Sequence, residues 1–179
     1  MLETKRLLLR PVRAEDTETL YEIRRRVARW QGRSEHTLEE TREMYAAMAG
    51  REPGSEPGWH QYVVETRDGI IVGDIGVHFG SPSHAQAEIG YSLHPDHWGH
   101  GYAAEALGRL VDHLFDDHGL HRLVATTGAD NLRSRALLER LGFRQEAYCV
   151  EAFFDRGLGQ WVDDVSYGLL ARERHQPRR

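Results

Sequence analysis

Residues 93–105 read LHPDHWGHGYAAE, and this stretch decides the fold because two hydrophobic rhythms meet in it. Before it, residues 86–93 alternate. Ala87, Ile89, Tyr91 and Leu93 fall on one side and Glu88, Gly90 and Ser92 on the other, the period of a strand with one buried face. After it, Ala103, Leu107, Leu110, Leu114 and Phe115 share one helical face, and Gly119 suits the end of that helix. Between the two, Gly99 and Gly101 permit backbone conformations closed to residues with a Cβ. They let the main chain approach a ligand while the first free N–H groups of the helix point outward. Such a turn suits an anion like a pyrophosphate, and it also serves as a plain strand-to-helix connection.

Toward the N-terminus, residues 5–10 read as a strand closed by Pro11, which lacks the N–H a ladder needs. A helix over 14–30 follows, with Leu20, Ile23 and Val27 on one face and Asp16 and Glu18 near its start, where the helix dipole favours negative charge. A second helix spans 37–49. The segment REPGSEPG that follows it reads as a loop. Strands over 62–66 and 70–79 flank Arg67-Asp68-Gly69, a hairpin turn signal. Toward the C-terminus come a strand over 120–127, a helix over 131–140, the turn Gly142-Phe143 into a strand reaching 154, and a last strand over 161–171. The order βααβββαβαββ predicts one α+β domain over 1–171, a mixed, largely antiparallel sheet flanked by helices with a single β-α-β crossover. Residues 172–179 read as a polar, frayed tail.

The 179 residues are 40% hydrophobic, enough to bury a core, and the formal net charge of -5 gives no global field toward nucleic acid. Lys5 is the only lysine. Cys149, the single cysteine, excludes an intramolecular disulfide and a cysteine zinc site and fits a reducing compartment. The N-terminus is too charged for a signal peptide and no apolar run reaches membrane-spanning length, so a cytoplasmic protein without membrane or nucleic-acid partners is expected. His94, His97 and His100 straddle a proline and the glycine loop, share no helix face, and predict no metal site.

Three phosphate-binding readings compete for the loop. A P-loop needs lysine and a hydroxyl after its glycine, where this chain has Tyr102-Ala103, so that reading fails. A dinucleotide fingerprint matches formally at Gly99, Gly101 and Ala104, with Asp130 after the next strand as a ribose ligand. It is rejected because five residues, His94 to Trp98, separate strand from glycine, and because the unit follows an antiparallel meander.

The third reading is a resemblance. WGHGYAAEAL after GYSLHPDH resembles the acyl-CoA pyrophosphate loop of the GNAT superfamily of N-acetyltransferases, in particular the ribosomal-protein-alanine (RimJ/RimL-like) branch. LETKRLLLRPVRAED, HRLVATTGADNLRSRALLERLGFRQEA and WVDDVSYGLL resemble that branch in order and spacing, so the likeness runs from about Leu2 to Leu170. It implies a GNAT-like fold and acetyl-CoA as co-substrate. In the superfamily loop pattern Gln/Arg-x-x-Gly-x-Gly/Ala, Trp98, Gly101 and Ala103 take the defined places, Trp98 departing from the general pattern while agreeing with the Rim-like branch. By the same analogy the amides of Gly99, His100, Gly101, Tyr102 and Ala103 hold the pyrophosphate, and Leu93 and His94 pair with the pantetheine arm. The loop histidines read either as solvated residues or as neighbours of the phosphates, where His100 adds charge. Asn131 resembles the asparagine that binds the pantetheine region, and it is also a favoured helix N-cap.

Acetyl transfer to an amine needs a neutral nitrogen, donors for the oxyanion and an acid for the leaving thiolate. Leu138 stands where many GNAT enzymes carry a tyrosine acid. The Rim-like resemblance offers Ser134 instead, as acid or as cofactor contact. Glu88 is the first candidate base, set against a solvated strand charge; Glu146, Tyr148 and Glu151 follow as substrate contacts. Cys149 reads as a strand residue without a catalytic role. The expected acceptor is a primary amine, either a protein N-terminus or a small molecule. Acidic stretches at 35–43 and Asp163-Asp164 are compatible with a cationic one. An acyl-CoA-binding sensor with little turnover is the alternative, supported by Leu138. Trp59, Phe153 and Phe154 are open to three readings: a homodimer surface, a cleft wall or core.

Overall fold

Leu7 and Leu9, alternate residues of the RLLLR segment, turn inward and are fully buried. Their strand, β2 (Leu7–Pro11), folds back on a short β1 (Leu2–Glu3) that the charge pattern of the terminus concealed. Pro11 ends β2 as expected. The computed structural model describes residues 1–31, 37–80, 85–155 and 158–174.

The first helix is preceded by a 3-10 turn, Ala14–Asp16, so α1 runs from Thr17 to Gln31. Asp16 does more there than meet the dipole. It is 2% exposed, receives both terminal nitrogens of Arg10 at 2.7 Å, and accepts the Arg13 N–H at 2.7 Å. Arg10 also reaches Glu65 at 2.9 Å, which ties the turn to the neighbouring strand. Helix α2 (Leu38–Met48) opens on a capping box, Thr37 receiving the Glu40 N–H while the Glu40 carboxylate takes the Thr37 N–H.

Strands β3 (Gly58–Thr66), β4 (Ile71–Phe79) and β5 (Gln86–Leu93) form the meander, with Gly69 at φ +86 in the turn between the first two. β3 starts four residues before the expected strand, because its His60 and Gln61 are buried although polar. Helix α3 (Tyr102–Asp116) crosses to β6 (Arg122–Gly128), which lies parallel to β5. Helix α4 (Leu132–Arg140), β7 (Arg144–Asp155) and β8 (Gln160–Leu170) complete the chain. The described residues form one eight-stranded sheet in the order β1-β2-β3-β4-β5-β6-β8-β7, antiparallel except at β5–β6. The expected α+β architecture is the observed one.

Apolar residues cover both faces of this sheet. Ala87 and Ile89 of β5 join Leu107, Leu110 and Leu114 of α3 on one face. Val63 of β3 meets Leu20 and Ile23 of α1 and Tyr45 of α2 on the other. The start of the expected frayed tail is docked, because Arg174 pairs with Asp116 at 2.9 Å and lies over the Phe115 ring; residues 175–179 lie outside the described residues.

Candidate active site

β5 and β6 pair only from Gln86 with Arg122 to Glu88 with Val124. Beyond that rung β5 keeps β4 as partner, β6 keeps β8, and the strands part. A cleft of about 1540 Å³ fills the gap, floored by Gly90 and Tyr91 and reaching Gly99 and Gly101 at one side and Arg24 of α1 at the other. That volume exceeds the range of about 300–1,000 Å³ usual for a drug-sized ligand, leaving room for a long co-substrate and an acceptor together.

The glycine loop opens onto this cleft. Gly99 and Gly101 both sit at φ +79, the left-handed region where a side chain is strained, and Gly101 is the N-cap of α3. The first intrahelical bond runs from the Glu105 N–H to the Gly101 carbonyl, 3.1 Å, so the amides of Tyr102, Ala103 and Ala104 precede the helical ladder. Gly99, His100 and Gly101 are exposed. Outward-facing amides, the positive end of a 15-residue helix dipole and an open approach fit a pyrophosphate.

Arg6 braces the loop from below. It donates to the His100 carbonyl at 2.9 Å and to Glu105 at 2.6 Å, and its guanidinium lies 4.7 Å from the Tyr102 ring centre. Burial alone would raise the Glu105 pKa, but the Thr4 hydroxyl and Arg6 hold it below the usual carboxylate range. Trp98 closes the loop onto its strand by donating its indole N–H to the Leu93 carbonyl at 2.8 Å, and Arg133 covers its ring at 4.8 Å. The His94 N–H donates to the Val72 carbonyl at 2.8 Å, so this amide and the Leu93 carbonyl hold the loop. Of the three histidines, His97 and His100 lie beside Tyr102. His94 and His97 lie 5.7 Å apart between ring centres, while His100 stacks on Tyr102.

Asn131 caps α4, its Oδ1 accepting the Ser134 N–H at 3.1 Å, and it lines the cleft. Ser134 lies one turn on, with its Oγ 2.7 Å from the hydroxyl of Tyr91. Burial pushes the Tyr91 phenol up to about 12, against the Ser134 hydrogen bond that lowers it. It therefore stays protonated at neutral pH. Sequence periodicity placed Tyr91 on the core face, where its ring does pack, but its hydroxyl reaches past the core to α4. Leu138, at the family's tyrosine place, is 1% exposed.

Glu88 is half-buried and lines the cleft on the side facing α1 and α2. Next to it Gly90 stands opposite Gly76 of β4, and Trp59 and Gln61 lie within 3.3 Å of where a Gly76 Cβ would be. Nothing stands within 4 Å of a Cβ on Gly90, so the floor is open there. Trp59 and Phe153 prove to be cleft walls, while Phe154 is exposed against Trp161. Glu146 pairs with Arg122 and Arg144, Tyr148 donates to Asp163, and the Glu151 N–H also donates to Asp163. These three and the exposed Cys149 belong to the outer strand β7 and do not line the cleft.

The description of the acetyltransferase (GNAT) domain matches residues 6–144. The chain belongs to the GNAT acetyltransferases. The chain is 32% identical over 164 residues to the uncharacterized N-acetyltransferase YoaA of Bacillus subtilis (strain 168), covering 88% of this chain and 90% of that one. A crystal structure of a GNAT-family acetyltransferase from Bacillus anthracis superposes with a TM-score of 0.82 at 27% identity, over 96% of this chain and 99% of the other. The spermidine N-acetyltransferase of Vibrio cholerae in complex with CoA and spermine shares the fold, with a TM-score of 0.84 at 22% identity over 97% and 100%. The GNAT domain is accordingly an N-acetyltransferase, and the splay, the glycine loop and the Asn131 cap together make its cleft.

Proposed function

We propose that the enzyme moves an acetyl group from acetyl-CoA to a primary amine by direct attack in a ternary complex. The observation that carries this reading is the junction at Gly90, where the loop side of the cleft meets the α1–α2 side across an open floor. The bound CoA in the Vibrio cholerae relative of the same fold supports the co-substrate. Pyrophosphate falls to the amides of 99–103. The edge of β5 beyond Glu88, which β6 leaves uncovered, takes the extended pantetheine arm, with Asn131 facing it from α4.

In the transfer, the neutral amine nitrogen attacks the thioester carbonyl, the C–N bond forms, and the C–S bond breaks. Glu88 takes the proton released from nitrogen, directly or through water, and the Ser134 hydroxyl gives one to the departing thiolate. As it does so Ser134 Oγ takes the Tyr91 proton across their 2.7 Å contact, and the phenolate regains a proton from solvent, so both hydroxyls end as they began. This pair brings a hydroxyl acid to the cleft from β5 and α4, so Leu138 does not argue for a sensor without turnover. Trp98 and the spaced motifs support a place in the Rim-like branch, and the lone exposed Cys149 supports a reducing, cytoplasmic setting.

Calorimetric titration with acetyl-CoA tests the reading. Saturation at one site per chain, followed by CoA release on adding amines, is expected; no binding would remove the loop assignment and the function with it.

A further inference from the structure

The acceptor end of the cleft holds a built cation. Arg24 projects from α1 with 27% of its side chain exposed and lines the cleft. Its Nε and one terminal nitrogen bind the same oxygen of Asp74, at 2.8 and 2.6 Å, and its guanidinium lies 5.5 Å from the Tyr45 ring centre. Asp74 is itself fixed by the Tyr45 hydroxyl at 3.1 Å and the Gln61 amide at 2.9 Å. Three elements thus hold one guanidinium in one place. Asp74 is 0% exposed, so a ligand in the cleft meets the arginine and not the carboxylate behind it. Arg25 lines the same wall. Around them Tyr21, Met44, Met48 and Trp59 supply apolar surface.

From this arrangement we infer that the acceptor is an amine that also carries a carboxylate a few bonds from its nitrogen, together with an apolar side chain, as an α-amino acid does. The inference rests on the reading above and narrows it. The amine sits over Gly90 beside Glu88, and its carboxylate turns along β4 toward Arg24, whose N–H groups not spent on Asp74 can donate to a carboxylate and have nothing to offer a polycation. A polyamine would place its second ammonium against N–H donors, with the carboxylate of Asp74 buried behind them and out of its reach. Arg24 is thus a specificity-determining residue.

The test compares leucine, phenylalanine and methionine, each beside its own amide, with spermidine and a short peptide with a free N-terminus, following CoA release and product mass. The amides hold more neutral amine at neutral pH than the acids, so the bias of chemistry alone runs against the expected result. A kcat/KM at least tenfold higher for an acid than for its amide is expected. That preference should vanish in Arg24→Gln through KM and survive in part in Arg24→Lys, which keeps the charge opposite Asp74. The comparison in the unsubstituted enzyme stands even if Arg24→Gln folds poorly. Amides or spermidine used as well as the acids, or acetylation of the peptide alone, would overturn the inference and leave N-acetyl transfer standing. No acetylated product from any amine would overturn both.

Discussion

The two proton transfers proposed for Glu88 and Ser134 fall on opposite sides of the sheet. Glu88 faces the α1–α2 side, whereas Ser134 meets Tyr91 on the α4 side. Glu88→Gln should lower kcat by about 10²-fold or more, the usual size of a general-base contribution, with acetyl-CoA affinity unchanged in calorimetry. Ser134→Ala should cost about 10²-fold in kcat as well, and Tyr91→Phe about 10-fold, since it leaves the serine in place but removes its donor. A loss seen only in acetyl-CoA affinity would assign Ser134 to cofactor binding instead. Gly99, Gly101 and Asn131 were legible because conformation and capping are local properties that a sequence displays. The Tyr91–Ser134, Arg6–Glu105 and Arg24–Asp74 pairs were not, since each joins residues 43 to 99 apart whose meeting depends on the completed sheet.

The loop and α3 act as one element. Gly101→Ala would place a Cβ at φ +79, costing about 1–2 kcal/mol, and 3.4 Å from Arg6 Nη2. If the backbone relaxes out of the left-handed region, the helix amides turn from the anion, and acetyl-CoA should bind about tenfold more weakly. A Kd equal to that of the unsubstituted protein would show that these amides do not hold the phosphates. Helices and the hairpin at Asp68-Gly69 could be read from the sequence because their periods and turn residues are strong. β1 and the bulges that shift the β7–β8 register could not, because two-residue strands and extra residues leave no period.

Across the whole molecule, stability should fall in two pH ranges, one set by His118 and one by the arginine-paired carboxylates, Asp16, Glu105 and Glu146 among them. Burial, reinforced by His113, holds His118 below its ordinary 6.5. The unfolded chain therefore binds this proton first, and the contribution is present above pH 6.5 and is lost as pH falls from there through the lower folded-state value. Asp16 is held below its ordinary 3.8, since Arg10 and the Arg13 N–H outweigh the burial that would raise it, and its contribution is lost only below about that pH. Tm should thus fall in two stages on acidification, and His118→Gln should flatten the first while leaving the second. One stage alone in both proteins would disprove the assignment to His118.

The parting of β5 from β6 sets a clock as well as a cleft. Successive amides of a strand point to alternate sides, so within 89–93 about half face the gap, beyond the last rung shared with β6. Those protons should trade with deuterium within seconds, while their neighbours bonded to β4 persist far longer. When an extended chain lies along the gap, the fast set should slow selectively, which gives a gauge of occupancy readable by mass without any turnover.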